Sequence, residues 1–573
     1  MKYPNSRLIA YAVSVVLFIG FWAKPIPAGP SSRSVVLKAM EDELKRSMKG
    51  LGEKGSPPPY FISYEITDTE SAYVTASFGA LRASAANRWR LLDVDVRVGD
   101  YQMDSTRRIQ GDRFSRFDFD FHSTPIAIED DPAAIRAALW LETDRRYNSA
   151  IEKLIQVKTN SEVKVKKEDE SADFSREGPN ESVTAPAQLK IDMTAWEKRI
   201  KALSARFSEA PYIYEGWVSL QAGAATSYFV NSEGTTIQQP DNHWRIAVYA
   251  STKADDGMDL YRYEAFDAHS PDRLPSDDTV RGAIDRVVKD LAGLRAAPAI
   301  EPYTGPAILS GRAAGVFFHE IFGHRIEGHR QKDDDEGQTF TKKINQSILP
   351  DFISVFDDPS LEQAAGADLN GYYLYDNEGV KARRVAVAEK GVLKNFLMSR
   401  SPAAGFDKSN GHGRKQPGLR AVGRQGNLIV EASRTVSEQR LRELLIEECK
   451  KQGKSFGLLF MDISGGFTFT GRGIPQSFAV SPIMVYRVYV DGRPDELVRG
   501  VDLIGTPLIS FSKIIACGDK QEVFNGYCGA ESGTVPVSAV APSVLTTQIE
   551  IQKKQKSAER PPLLPPPPGN KEH

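Results

Sequence analysis

The chain has 573 residues, 41% hydrophobic and 26% charged, which is ordinary for a globular protein and long enough for two or more cores. A net charge of −2 excludes nucleic acid as the main partner, because no basic excess exists to neutralise phosphates. The three cysteines, Cys449, Cys517 and Cys528, are too few for a disulfide scaffold.

Lys2 and Arg7 precede an apolar run over residues 8–23, broken only by Ser14. That run is shorter than the roughly 20 residues a membrane span needs. Ile26-Pro27-Ala28 before Gly29 offers small-residue cleavage chemistry, so residues 1–28 read as a secretory signal peptide. The body of the protein is then exported, periplasmic or extracellular. Left uncleaved, the same segment would be an anchor, and only then would a membrane be involved.

Residues 34–49 carry Val35, Val36, Met40, Leu44 and Met48 at helical spacing, and Gly50, Gly52 and Gly55 are expected to end that helix. Residues 60–86 and 91–98 alternate as meander strands of a half-exposed antiparallel sheet. Residues 131–157 are helical again, and residues 158–182 are a charged loop or helix extension. A helix over 196–207 is followed by strands at 213–224, 227–230, 236–238 and 243–251, with Ser232-Glu233-Gly234 as a hairpin turn. A long helix over 277–296 closes this half. Next come a short strand at 307–309 and a helix capped by Ser310 and running through Phe322. Further strands are read at 371–375, 385–388 and 484–490, and a helix with Ser437 as its N-cap at 437–452. The expected fold class is α+β. An N-terminal α+β domain (34–297) has an antiparallel-rich sheet and flanking helices. A C-terminal β-rich domain (298–552) carries a metal-binding helix. The tail, 553–573, is proline-rich and reads as disordered.

The chemistry concentrates in Phe318-His319-Glu320-Ile321-Phe322-Gly323-His324-Arg325-Ile326-Glu327-Gly328-His329. Three of the eight histidines fall between positions 319 and 329. Imidazoles beside a carboxylate supply nitrogen ligands and a base for a zinc hydrolase. The common zinc-protease motif places its two histidines four apart on one helix face. Here they are five apart, which on an ideal helix separates the rings by about 140°. The helix must therefore distort or end near Gly323 for both to reach one ion. The third ligand is open between His329, Glu327 and the distant Cys528, which is read in a glycine-flanked loop. Cys449 and Cys517 have plainer, structural readings.

His-Glu-x-x-Gly-His with Ile326-Glu327-Gly328, taken with Cys528-Gly529 and Val535-Pro536-Val537, resembles the TldD/PmbA family of metallopeptidases. Gly411-His412-Gly413-Arg414, Gly465-Gly466 and Gly500-Val501-Asp502-Leu503-Ile504-Gly505 match in order, and the resemblance covers roughly residues 34–552. It implies a zinc ion held by His319, His324 and Cys528, with Glu320 as general base and His329 a bystander. It also implies extended or unfolded peptides as substrates. The partner would be a second copy or a motif-lacking family member in a dimer that encloses the site. Glu327 is the candidate partner that orients a histidine ligand. Glu327, His412 and Arg414 are candidates for contact with ligands or substrate, and His412, Arg414 or His329 could donate to the developing oxyanion. Family members usually carry Pro-Arg-Met-Thr-Asn-Thr after the arginine loop. This chain has Pro417-Gly418-Leu419-Arg420-Ala421-Val422-Gly423-Arg424, which puts substrate choice in question. The competing expectation is a non-catalytic partner subunit with a vestigial zinc site.

Overall fold

The computed structural model describes residues 33–108, 122–163, 169–333, 335–472, 478–505, 507–554, 561, 562 and 564. The expected signal peptide and most of the proline-rich tail lie outside the described residues. Two sheets organise the rest, and both mix with helices as an α+β fold.

The first half opens with α1 (Val35–Lys54), whose N-cap Ser34 accepts from the Leu37 amide. It runs through Gly50 and Gly52 instead of ending at them. Both glycines stand in open space. Each costs about 1 kcal/mol relative to alanine, which the buried face of the helix outweighs. β1 (Pro59–Ser77) and β2 (Ala80–Val98) form a long hairpin. α2 (Pro132–Val163) and α3 (Met193–Ser204) follow, then β3 (Glu215–Asn231), β4 (Thr236–Lys253) and β5 (Asp259–Ala268). α4 (Asp277–Ala296), capped by Ser276, has the limits that its periodicity predicts. The long strands lie in the antiparallel order β2-β1-β3-β4-β5. The sequence splits β3 and β4 into two strands each, but both are continuous. Ala225 pairs with Thr69 on one side and Asp241 on the other. Pro240 is tolerated because β5 starts pairing with β4 only at Trp244, four residues on, so no ladder bond is lost there.

The second half begins with β6 (Tyr303–Leu309) and α5 (Gly311–Ile321), which carries the histidine motif. It continues with β7 (Ile353–Asp357), β8 (Val385–Glu389), β9 (Asn427–Ala432), α6 (Glu438–Lys451), β10 (Phe456–Thr468), β11 (Phe478–Tyr489), β12 (Val501–Gly505), β13 (Ile514–Ala530) and β14 (Gly533–Lys553). β14 is the organising strand. Its first part pairs with β13 and β9, and its second part with β12 and β6. Because β6 also pairs with β10, and β10 with β11, the strands β6, β14, β12, β11 and β10 close a ring. Residues 371–375 are not a strand. Side-chain contacts hold them instead: the Tyr373 hydroxyl donates to the Gly411 carbonyl (2.9 Å), and its ring lies under the Arg414 guanidinium.

α5 is apolar on nearly every side, and every residue in it except Arg312 is buried. Such a helix belongs inside a core. Phe317, Phe318 and Phe322 pack around Phe511, with ring centroids 5.4–5.9 Å apart. Ser310 fixes its start: the Oγ accepts from the Ala313 amide and donates to the Met461 carbonyl at 2.8 Å. The first part of the histidine motif is thus carried on a buried helix.

Candidate metal centre

α5 ends at Ile321, and Gly323–Arg325 form a 3-10 turn. The regular helix thus ends before His324, so the divergence that five-residue spacing imposes on a continuous helix does not apply. The His319 and His324 rings meet edge-to-face, with centroids 5.1 Å apart. A Cβ at Gly323 would collide with the Gln425 side-chain amide, which would have to move aside. That amide instead donates toward the His319 carbonyl at 3.4 Å.

Cys528 arrives from a separate element. It lies in β13, paired with Val535 of β14 near the hairpin tip, and not in a loop as the flanking glycines suggest. Its Sγ stands 3.3 Å from His324 Nε2. One donor atom from each of His319, His324 and Cys528 lies within 4.8 Å of the others, and all three residues are buried. Burial alone would suppress charge on each. The two imidazoles nevertheless hold the Cys528 thiol well below its usual range, and the thiolate in turn raises both histidines. Two imidazoles and a thiolate, crowded together, fit the donor set of a catalytic zinc site that keeps a fourth position free. The cluster lies against a cleft of about 860 Å3 between the two halves of the molecule. Glu320 also faces this cleft, with its carboxylate 3.9 Å from His324 Nε2. Gly466 of β10 lies against it: a Cβ there would sit 2.9 Å from Glu320 Cγ.

A ring of buried ions surrounds the cluster. Glu327 is fully buried, and it accepts from His324 Nδ1 at 3.3 Å and from Arg330 Nε at 2.8 Å. Burial pushes its carboxyl up, but His324, Arg330 and Arg424 outweigh this and hold it at about 2. Arg424, also fully buried, has its Nε 3.4 Å from Glu327. It donates to the Cys528 carbonyl at 2.7 Å and the Ser532 hydroxyl at 2.8 Å. A single guanidinium therefore ties the residue behind His324 to the backbone of Cys528. Arg330 continues the ring to Glu336 and to Glu531, which also pairs with His329. Arg325 caps the end of α5 through the Glu320 and Ile321 carbonyls and donates to Thr468 Oγ1 on β10.

The candidates from sequence separate clearly. Among the described residues, His319, Glu320, His324 and Cys528 converge, Glu327 backs His324, and His329 lines the cleft but is occupied by Glu531. His412 and Arg414 do not line the cleft. His412 has no exposed surface and pairs with Asp357 at 3.2 Å, while Arg414 donates to the Gln425 carbonyl at 2.6 Å. Their roles as substrate contacts or oxyanion donors are thereby withdrawn: His412 is turned to the Asp357 carboxylate and Arg414 to a backbone carbonyl and the Tyr373 ring, away from the cleft. Cys449 and Cys517 are free and buried in the core. Arg424, Arg330 and Glu531 were missed as site residues, and Gly466 entered only within the matching pair Gly465-Gly466. Arg330 directly follows His329, and Glu531 stands three residues after Cys528.

The fold is two sheets with a buried cluster of His319, His324 and Cys528 at the wall of a cleft. Residues 302–553 match the family model of the PmbA/TldA metallopeptidase C-terminal domain, and through them the chain is similar to the TldD/PmbA family. It is 29% identical over 231 residues to a metalloprotease of Methanocaldococcus jannaschii, covering 40% of this chain and 47% of that one. It is 24% identical over 273 residues to a zinc metalloprotease TldD homolog of Saccharolobus solfataricus, covering 46% and 54%. The chain thus spans about half the length of these relatives. The crystal structure of TldE from Thermococcus kodakarensis has the same fold, with a TM-score of 0.58 at 12% identity, covering 90% of this chain and all of that one.

Proposed function

We propose that this protein is a zinc-dependent peptidase that hydrolyses extended or unfolded peptides. The observation that supports this most is the buried meeting of His319, His324 and Cys528 beside Glu320 at the wall of the cleft. Zinc held by those three residues would supply a Lewis acid and lower the pKa of a water toward about 7. Glu320 is the base that takes the proton and returns it to the leaving amine. Glu327 fixes the ring orientation of His324 through Nδ1, as such carboxylates do for metal-ligating histidines.

The same cleft has a wall suited to an extended chain. β10 pairs with β11, with register shifts between Phe460 and Gly466, but on its other side β6 reaches only Leu458–Phe460. From there to Thr468, no strand of the described residues covers that edge. An open strand edge binds extended backbone by adding one more strand.

The test is a pair of substitutions assayed for metal and for hydrolysis of an unstructured peptide. Glu320→Gln should keep stoichiometric zinc and lose activity by at least about a hundredfold. Cys528→Ala should lose the zinc. Full zinc in Cys528→Ala would remove that ligand. Zinc binding with no hydrolysis by the wild type would identify a non-catalytic partner subunit instead. Export through residues 1–28 and dimerisation with a like or a motif-lacking chain belong to the same proposal. No helix among the described residues is long and apolar enough to cross a membrane. A reporter fused to residues 1–28 and active only after export should be active.

A further inference from the structure

The end of β10 and the residue just beyond it carry an unusual pair of side chains. Phe467 and Phe469 are 54% and 41% exposed, and their rings meet edge-to-face with centroids 5.4 Å apart. Both line the catalytic cleft, beside His319, Glu320, His324 and Cys528. Much of the rest of that lining is charged, including Arg107, Arg108, Asp333 and Asp335. The two rings form a local apolar patch in a polar cleft.

The patch is held in place. Arg325 donates to Thr468 Oγ1 at 2.8 Å and to the Phe469 carbonyl at 3.2 Å, and the same guanidinium caps α5 behind Glu320. Gly466, one residue before Phe467, lies against Glu320 itself. The rings therefore keep a fixed distance from the catalytic carboxylate. Phe467 is the last residue but one of β10 and Phe469 lies just past its end, and the contact between their rings brings the two together at the cleft.

We propose that Phe467 and Phe469 form an apolar subsite that takes a large hydrophobic side chain, aromatic or branched aliphatic, of the peptide next to the scissile bond. This rests on the reading that the cleft binds extended peptides, and it adds the substrate class. A peptide strand laid on the β10 edge places every second side chain on the face of the two rings. Cross-strand aromatic pairs are among the favourable contacts a sheet can make. Selection would act on single side chains, and any other position of the peptide would be read through backbone alone.

The experiment measures binding separately from turnover. Fluorescein-labelled unstructured decapeptides, identical except for one Phe, Leu or Ser walked along the chain, are titrated into full-length Glu320→Gln protein and followed by anisotropy. At one position the Phe and Leu peptides should bind about tenfold more tightly than the Ser peptide, the effect of removing roughly half a large apolar side chain from water. In the added Phe467→Ala/Phe469→Ala background that ratio should fall to about twofold or less, and Phe467→Leu/Phe469→Leu should restore most of it. A ratio unchanged by the alanine pair overturns the proposal, as does the absence of any preference before substitution. A changed sedimentation coefficient with the preference intact also overturns it, because the rings would then be covered by a second copy. If the wild type hydrolyses peptides without preference, the subsite fails and the peptidase reading stands. If the preference and its loss appear but no peptide is hydrolysed, the reverse holds.

Discussion

Replacing Glu327 with glutamine tests how the metal cluster is held. Glu327 touches neither the cleft nor a substrate, and its side chain has no exposed surface. Its carboxyl sits at about 2 against an ordinary 4.5, so its surroundings favour the charged form by about 3 kcal/mol, at 1.36 kcal/mol for each tenfold. Three cations share that preference: His324, Arg330 and Arg424. Roughly a third of it, about 1 kcal/mol, belongs to the contact that orients His324. Glutamine keeps the shape and an acceptor for Nδ1 but removes the charge. The expected weakening of zinc binding is about tenfold, at the lower end of the 10- to 100-fold typical of carboxylates behind metal-bound histidines. Competition with a chromophoric chelator at pH 7.5 measures it. The cobalt-substituted variant should keep its thiolate-to-metal absorption, since Cys528 is not moved. The variant should also melt earlier without zinc, because Arg330 and Arg424 lose a buried counter-charge. Zinc affinity within twofold of the wild type would refute the reasoning, since the charge behind His324 would then contribute nothing to the site.

Three further outcomes follow from other contacts. His329→Ala should leave zinc stoichiometry unchanged, because His329 is committed to Glu531 and is not part of the converging trio; loss of the metal in this variant would reopen the ligand set. Gly466→Ala should retain zinc while kcat falls at least about tenfold, since the new Cβ, 2.9 Å from Glu320 Cγ, must displace the base; an unchanged kcat would show that Glu320 tolerates the shift. Glu378, largely buried and bonded by the Arg400 amide at 2.6 Å, is pushed up by burial to about 7. Its folded pKa lies above the unfolded value of 4.5, so between those limits the folded state holds a proton that the unfolded chain has released. Stability should therefore fall by about 3 kcal/mol as pH rises through that window and then level off. Glu378→Gln should remove that part of the fall in urea melts at pH 5 and pH 8, and an identical pH dependence in the variant would count against it.

Much of the local architecture was legible along the chain because short-range physics sets it. The limits of α4 follow from its periodicity and its Ser276 cap, the turn at 232–234 from its glycine, and the start of α5 from Ser310. The five-residue spacing of His319 and His324 required the helix to stop or distort near Gly323, and it stops at Ile321. The family, and with it the candidate ligand Cys528, also came from ordered motifs in the linear chain. What the sequence could not show was anything settled by pairing across long separations. Cys528 was read in a loop because glycines flank it, yet a ladder with Val535 holds it in a strand. Glu327 could be named from sequence as the partner of a histidine ligand, but not that Arg424, nearly a hundred residues on, is brought against it. His412 and Arg414 sat in a motif that suggested substrate contact, but tertiary packing turned both inward to Asp357 and the Gln425 carbonyl. The metal motif is local because a helix end can set two ligands. The third ligand, the carboxylate behind His324 and the guanidinium that joins them depend on which strands and loops meet in the folded core, and only the tertiary structure decides that.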